Sequence, residues 1–159
     1  MMATGIRHNA HEAERQLGLE FDAMERLIAL GIQKLLIATD GNLRTLAPVD
    51  TGLYRAAWDL TADAESDFKP DYVKPPKGRK RGEEMPEHVA TSQAQSAATA
   101  ARASQFQEVK NKTFVFTNNL EYASAIEDGH STLAPLGVAA RAKDIAERDA
   151  AKLGVTLRG

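Results

Sequence analysis

At 159 residues and 43% hydrophobic content the chain is long enough for one domain with its own core and too short for two. A formal net charge of −2 argues against a protein whose main task is gripping nucleic acid by phosphate neutralisation, and the lack of any cysteine excludes disulfides, zinc ribbons and thiol catalysis. Aromatics are few and alanines many, so the core is expected to pack thinly in a lone subunit, and no run of residues suggests secretion or a membrane span.

The segment from about Leu17 to Leu46 sets Met24, Leu27, Ile28, Leu35 and Leu36 at helical spacings, which predicts one long helix, with Gly31 and Asp40-Gly41-Asn42 as points of kinking or breakage. Leu30, Ile32 and Ile37 fall off that stripe, so burial on a second side is expected, with a subunit contact able to supply it. Pro48-Val49-Asp50-Thr51-Gly52 stops the helix in a turn, and Leu53 to Leu60, holding Trp58, is expected to enter a sheet. From 61 to 85, prolines and glycines surround the basic residues Lys77, Arg79, Lys80 and Arg81, which predicts a long, flexible loop.

Pro86 suits a first helical position, and Glu87 to Gln107 reads as an Ala/Ser/Gln helix nearly free of charge, with low-complexity disorder as the competing reading. Thr113 to Thr117 alternates as a strand, with Phe114 and Phe116 on one face. Leu120 to Asp128 forms a short helix with an exit at Gly129, and His130 to Gly137 is a loop. A last helix, about Val138 to Leu153, carries the stripe Val138, Ala142, Ile145, Ala146, Ala150 and Leu153. The whole predicts an α+β fold: a long N-terminal helix and further helices on a small, mainly antiparallel sheet, forming a single domain over 1–159.

Four chemical readings compete with bland ones. Asp50-Thr51-Gly52 matches the tripeptide of aspartic proteases, but those place it after an apolar strand in an all-β fold, and here a helix and Pro48 precede it; a turn is the stronger reading. Glu127, Asp128, His130 and Ser131 offer acid, imidazole and hydroxyl within one loop, whereas working triads converge from distant segments, which favours local capping. His8, His11 and Glu12 are the one close metal-type set, and nothing completes it. The basic stretch from Lys74 to Arg81 could touch DNA, but Glu83, Glu84 and Glu87 follow it and no aromatics interleave, so a solvated loop is favoured.

Two blocks carry a resemblance. Ala47-Pro48-Val49-Asp50-Thr51-Gly52-Leu53-Tyr54-Arg55-Ala56-Ala57-Trp58 resembles the "P-V-D-T-G-x-L-R-x-S-W" stretch of the tailed-phage neck and tail-completion family, with alanine where the family has serine. Asn118-Asn119-Leu120-Glu121-Tyr122-Ala123, Ile126-Glu127-Asp128-Gly129-His130-Ser131 and Ala134-Pro135-Leu136-Gly137 are similar to its more specific "N-N-x-x-Y-A-x-x-I-E-x-G-x-S-x-x-A-P-x-G" stretch. The resemblance implies a structural virion protein, assembled in the host cytoplasm, that forms a ring in the neck. Six copies are preferred to twelve by analogy with the sixfold tail. It also implies neighbouring connector, stopper or tail-terminator proteins as partners, genomic double-stranded DNA passing through without sequence-specific contact, and no catalysis or cofactor. A tail-terminator ring is the alternative structural role. Asp50, Thr51, Gly52, Trp58, Asn118, Tyr122, Glu127, Gly129, His130, Ser131, Pro135 and Gly137 are the assembly candidates, either as interface or as residues fixing the subunit's own fold, with Trp58 and Tyr122 in its core and Gly52 and Gly129 in constrained turns.

Overall fold

The long helix is longer than its apolar pattern. In the computed structural model, which describes residues 4–154 with side chains from Ala10 onward, α1 runs unbroken from Thr4 to Leu46. From Ala10 to Ile28 it holds no core position, and before Leu17 good helix formers such as Ala13, Glu14 and Gln16 carry the helix instead. Neither expected interruption ends it. Gly31 is where the end of the last helix comes close, since a Cβ there would sit 3.4 Å from Leu153 Cδ1. Asp40 is buried and ion-paired rather than part of a break.

Six shorter elements follow: α2 (Leu53–Ala56), β1 (Trp58–Ala62), α3 (Pro86–Gln105), β2 (Phe114–Asn118), α4 (Ala123–Glu127) and α5 (Ala139–Lys152). The fold is α+β, with helices around one two-stranded antiparallel sheet in which Trp58 lies opposite Asn118 and Leu60 opposite Phe116. Expected strand Leu53–Leu60 is corrected in its first half. Gly52 adopts a left-handed conformation and its carbonyl accepts Ala56 N–H at 3.0 Å, closing a helical turn before the strand begins at Trp58. No helix among the described residues is long and apolar enough to cross a membrane.

The main core gathers Leu43, Leu53, Tyr54, Trp58, Leu120 and Val138 with several alanines, and Trp58 is 4% exposed. A second cluster joins Leu36 of α1, Leu60 of β1 and Ala103 of α3, and a third packs Leu35 against Ala146 and Ala150 of α5. Val138, Ala142, Ala146 and Ala150 are the buried line of the predicted α5 stripe; Leu153 is exposed. The buried face of α3 is polar, with His88, Ser92 and Thr99 turned inward. That seam meets Arg44 of α1, whose guanidinium pairs with Asp40 at 2.8 Å and also donates to Arg55 O, Trp58 O and Ser92 Oγ.

The segment from 63 to 85 has no helix or strand, yet it is pinned along its length. Ser66 Oγ donates to Asp59, Asn119 Nδ2 donates to Ser66 O and Phe68 O, and Val73 N–H donates to His88 Nε2. Near its end Met85 N–H donates to Thr51 O at 2.9 Å.

Removing one member of a buried pair leaves the other charge uncompensated. We predict that Arg44→Ala lowers the unfolding free energy by about 3–5 kcal/mol in urea titrations, while Asp40→Leu with Arg44→Met recovers most of that loss. A single-variant loss under about 1 kcal/mol would show the pair to be dispensable.

Candidate functional site

Gly52 lies at φ +83°, a conformation that a side chain strains, and a Cβ there would lie 3.0 Å from Glu84 Oε1 and 3.4 Å from His88 Cβ. The turn is therefore pressed against the start of α3. Thr51 O accepts from His88 Nδ1 at 2.8 Å as well as from Met85 N–H, and Arg55 pairs with Glu84 at 2.9 Å. Asp50 receives Arg79 Nη2 at 2.8 Å, and this hydrogen bond, with the positive charges of Arg79 and Arg81, holds its carboxyl below the ordinary aspartate value of 3.8. A protease dyad keeps a shared proton between two carboxylates; the group against Asp50 is a guanidinium. Arg79 also donates to Asp50 O and Lys80 O and bonds Glu83 O, so this member of the basic run is used inside the fold.

The second block folds against the first. Asn118 Nδ2 donates to Tyr54 O at 3.1 Å while its Oδ1 accepts Leu120 N–H at 3.3 Å. Glu127 joins three elements: Oε1 accepts the Tyr54 hydroxyl, and Oε2 accepts Val138 N–H and Ala139 N–H at 2.9 and 2.8 Å, satisfying the free amides at the start of α5. Burial, then the bond to Glu127, pushes the Tyr54 phenol well above its usual value, so it acts as a hydrogen-bond donor.

The glycines follow from this closeness. A Cβ on Gly129 (φ +80°) would meet Pro135 O at 2.5 Å, and one on Gly137 (φ +71°) would meet Glu127 O at 2.7 Å and Oε2 at 2.9 Å. Between them Ser131 pairs with Ala134 in an isolated bridge, and its hydroxyl accepts Leu133 N–H at 3.3 Å. With both oxygens committed to Tyr54 and α5, Glu127, one of the two acids of the triad reading, serves the fold.

Where the blocks meet they leave a cleft of about 350 Å³ lined by Asp50, Thr51, Gly52, Tyr54, Tyr122, His130 and Ser131 among others. Tyr122, expected either at an interface or in the core, is 42% exposed at this cleft, with its ring 6.5 Å from that of Tyr54. The core alternative does not hold because α4 begins only at Ala123, which takes the buried position. Trp58 lies outside the cleft, in the core, edge-on to Tyr54 at 5.8 Å. Pro135 is exposed and takes part through its carbonyl. Sequence reasoning passed over His88 and the Asp40–Arg44 pair, since polar residues on a buried helix face give no apolar period, and it named Glu84 only as part of the acidic stretch after the basic run. His11 lies 3.5 Å from Glu14 on the exposed helix, the His8 side chain lies outside the described residues, and among those described no group of three or more His, Cys, Asp or Glu is placed to hold a metal ion.

No protein-family model matches this chain, and no curated protein or solved structure is significantly similar to it.

We predict that Gly137→Ala destabilises the chain by more than about 2 kcal/mol, because left-handed strain adds to the overlap with Glu127 O; a thermal midpoint equal to wild type would refute this. Asp50→Asn should cost no more than about 1 kcal/mol at neutral pH, since the Asp50 carboxylate is solvent-exposed. A carboxylate whose folded value is depressed contributes stability above its unfolded value and loses it as pH falls through the folded one. The difference between Asp50→Asn and wild type should therefore vanish on acidification below 3.8, as followed by urea unfolding across pH.

Proposed function

We propose that this chain is a structural virion protein of a tailed phage, one copy in a ring in the neck that joins head to tail and lets DNA pass. The observation that carries the reading is that the two stretches resembling the neck and tail-completion family form one folded unit. Residues 64 and 73 positions apart are bonded, Asn118 to Tyr54 O and Tyr54 to Glu127, around a single cleft. Such bonding gives the paired motifs a joint structural purpose, and the exposed side chains at the cleft, Tyr122 and His130 above all, are available to a neighbouring connector, stopper or tail-terminator protein. Near-neutral charge suits a conduit through which DNA slides, since a strongly basic lumen would hold it.

The contact surface and the fold are separable by mutation. Tyr122→Ala is expected to leave the far-UV circular dichroism and thermal midpoint near wild type while phage carrying it yields full heads and tails that fail to join. Trp58→Ala, by contrast, should cost about 3–5 kcal/mol of stability before any assembly defect. Wild-type yields of infectious Tyr122→Ala particles would remove the cleft from assembly. Cryo-EM of the virion connector tests the position in the neck, and density for this chain absent from that region would overturn the reading.

A further inference from the structure

Among the described residues nothing covers the N-terminal part of α1. Every residue from Ala10 to Ile28 is exposed, roughly 28 Å of helix at 1.5 Å per residue. Leu17, Phe21, Met24 and Ile28 nevertheless share one face at spacings of four, three and four, each 43–56% exposed. This is the seam of a helix packed on another surface, and an isolated helix in water gains nothing from it. The same face runs on through Gly31 to Leu35, which the chain does cover with Ala146 and Ala150. The stripe thus prolongs an interface that the subunit builds only partway along the helix.

A receptor of matching chemistry is present on the same molecule. Leu35, Thr39, Leu43, Phe116, Ala142 and Ala146 line a largely apolar groove of about 270 Å³ between α1, β2 and α5, with Lys143 beside them. Glu14, Glu20 and Glu25 flank the arm's stripe, and the arm from Ala10 to Ile28 carries five carboxylates against two arginines. On α5 four cations stand against three carboxylates. The arm and its groove belong to one unbroken helix, so the arm cannot fold into its own groove.

Area favours a second copy as the occupant. The chain exposes 10930 Å², against about 7800 Å² for a compact monomer of its 17.2 kDa mass. At about 100 Å² each, the four stripe residues expose about 400 Å², close to the apolar share of a standard face of about 800 Å² per partner.

We infer that the Leu17–Ile28 face of α1 docks in the α1–β2–α5 groove of a second copy of this chain, a head-to-tail contact of the kind that closes rings. The inference rests on the ring reading and specifies which surfaces make it. Because the chain has no cysteine, single cysteines report the contact cleanly. Met24→Cys and a tagged Lys143→Cys chain, mixed and oxidised, are expected to give a cross-linked heterodimer carrying one of each. Adding Phe21→Glu to the arm should abolish that link and lower the assembled mass, with helix content unchanged. Links only between two Met24→Cys chains would set arm against arm and overturn the inference. An assembled species without the heterodimer would overturn it while leaving the ring reading standing. A chain monomeric at every concentration would overturn it too, and the ring reading would then be decided by cryo-EM of the virion connector.

Discussion

Arg44 is the constraint on which the arrangement of the other elements depends. A guanidinium has five N–H groups and no acceptor, and here all five find partners: both Asp40 oxygens, Arg55 O, Trp58 O and Ser92 Oγ. Those acceptors sit on α1, α2, β1 and α3. One buried cation thereby fixes where the chain after the Asp-Thr-Gly turn returns to the long helix and where α3 crosses it. Replacing such a pair by well-packed apolar residues is often neutral, so its importance lies in geometry more than in net stability. In a core built largely of alanines, few apolar side chains are large enough to fix these angles by shape alone.

With β1 so placed, Trp58 stands opposite Asn118 and the second block is brought beside the first. Glu127 then completes the unit, because one oxygen holds the Tyr54 hydroxyl while the other satisfies the start of α5. Asn118, Glu127, Gly129, Ser131 and Gly137 are spent on hydrogen bonds or close backbone approaches within the subunit, and Gly52 on its left-handed turn. Tyr122 and His130 are exposed at the cleft.

The parts of the fold legible in the sequence were those where an apolar period or a backbone rule operates. The packed length of α1, the proline start of α3, the alternation of β2 and the alanine stripe of α5 all belong there, as do the turn glycines Gly52 and Gly129. Three features were hidden for a common reason: polar groups doing core work carry no hydropathy signal. Asp40 reads as a helix break in the sequence yet is buried in an ion pair, His88, Ser92 and Thr99 give the buried face of α3 no apolar period, and the 61–85 stretch, read as a flexible loop, is hydrogen-bonded to the body at Ser66, Val73 and Met85. The helical turn at Leu53–Ala56 was missed because four residues are too few to show a period of 3.6. The grouping of the candidate residues around Tyr54 and Glu127 was not legible, because it requires contacts more than sixty positions apart.

The alanine content links the thin core to the exposed arm. At its buried positions α5 presents Ala142, Ala146 and Ala150, which let α1 come close but cannot fill the space between α1 and β2, so a groove remains where larger residues would have made core. Interiors normally close-pack, and an open apolar groove costs the dispersion contacts its walls lack. Leucines at these positions would repair the isolated subunit. The large apolar residues the groove lacks sit elsewhere on the same chain, at Leu17, Phe21 and Met24. On the proposed head-to-tail contact, apolar volume divided in this way between an unfilled groove and an exposed helix face is balanced when one subunit fills the next, and assembly then completes folding.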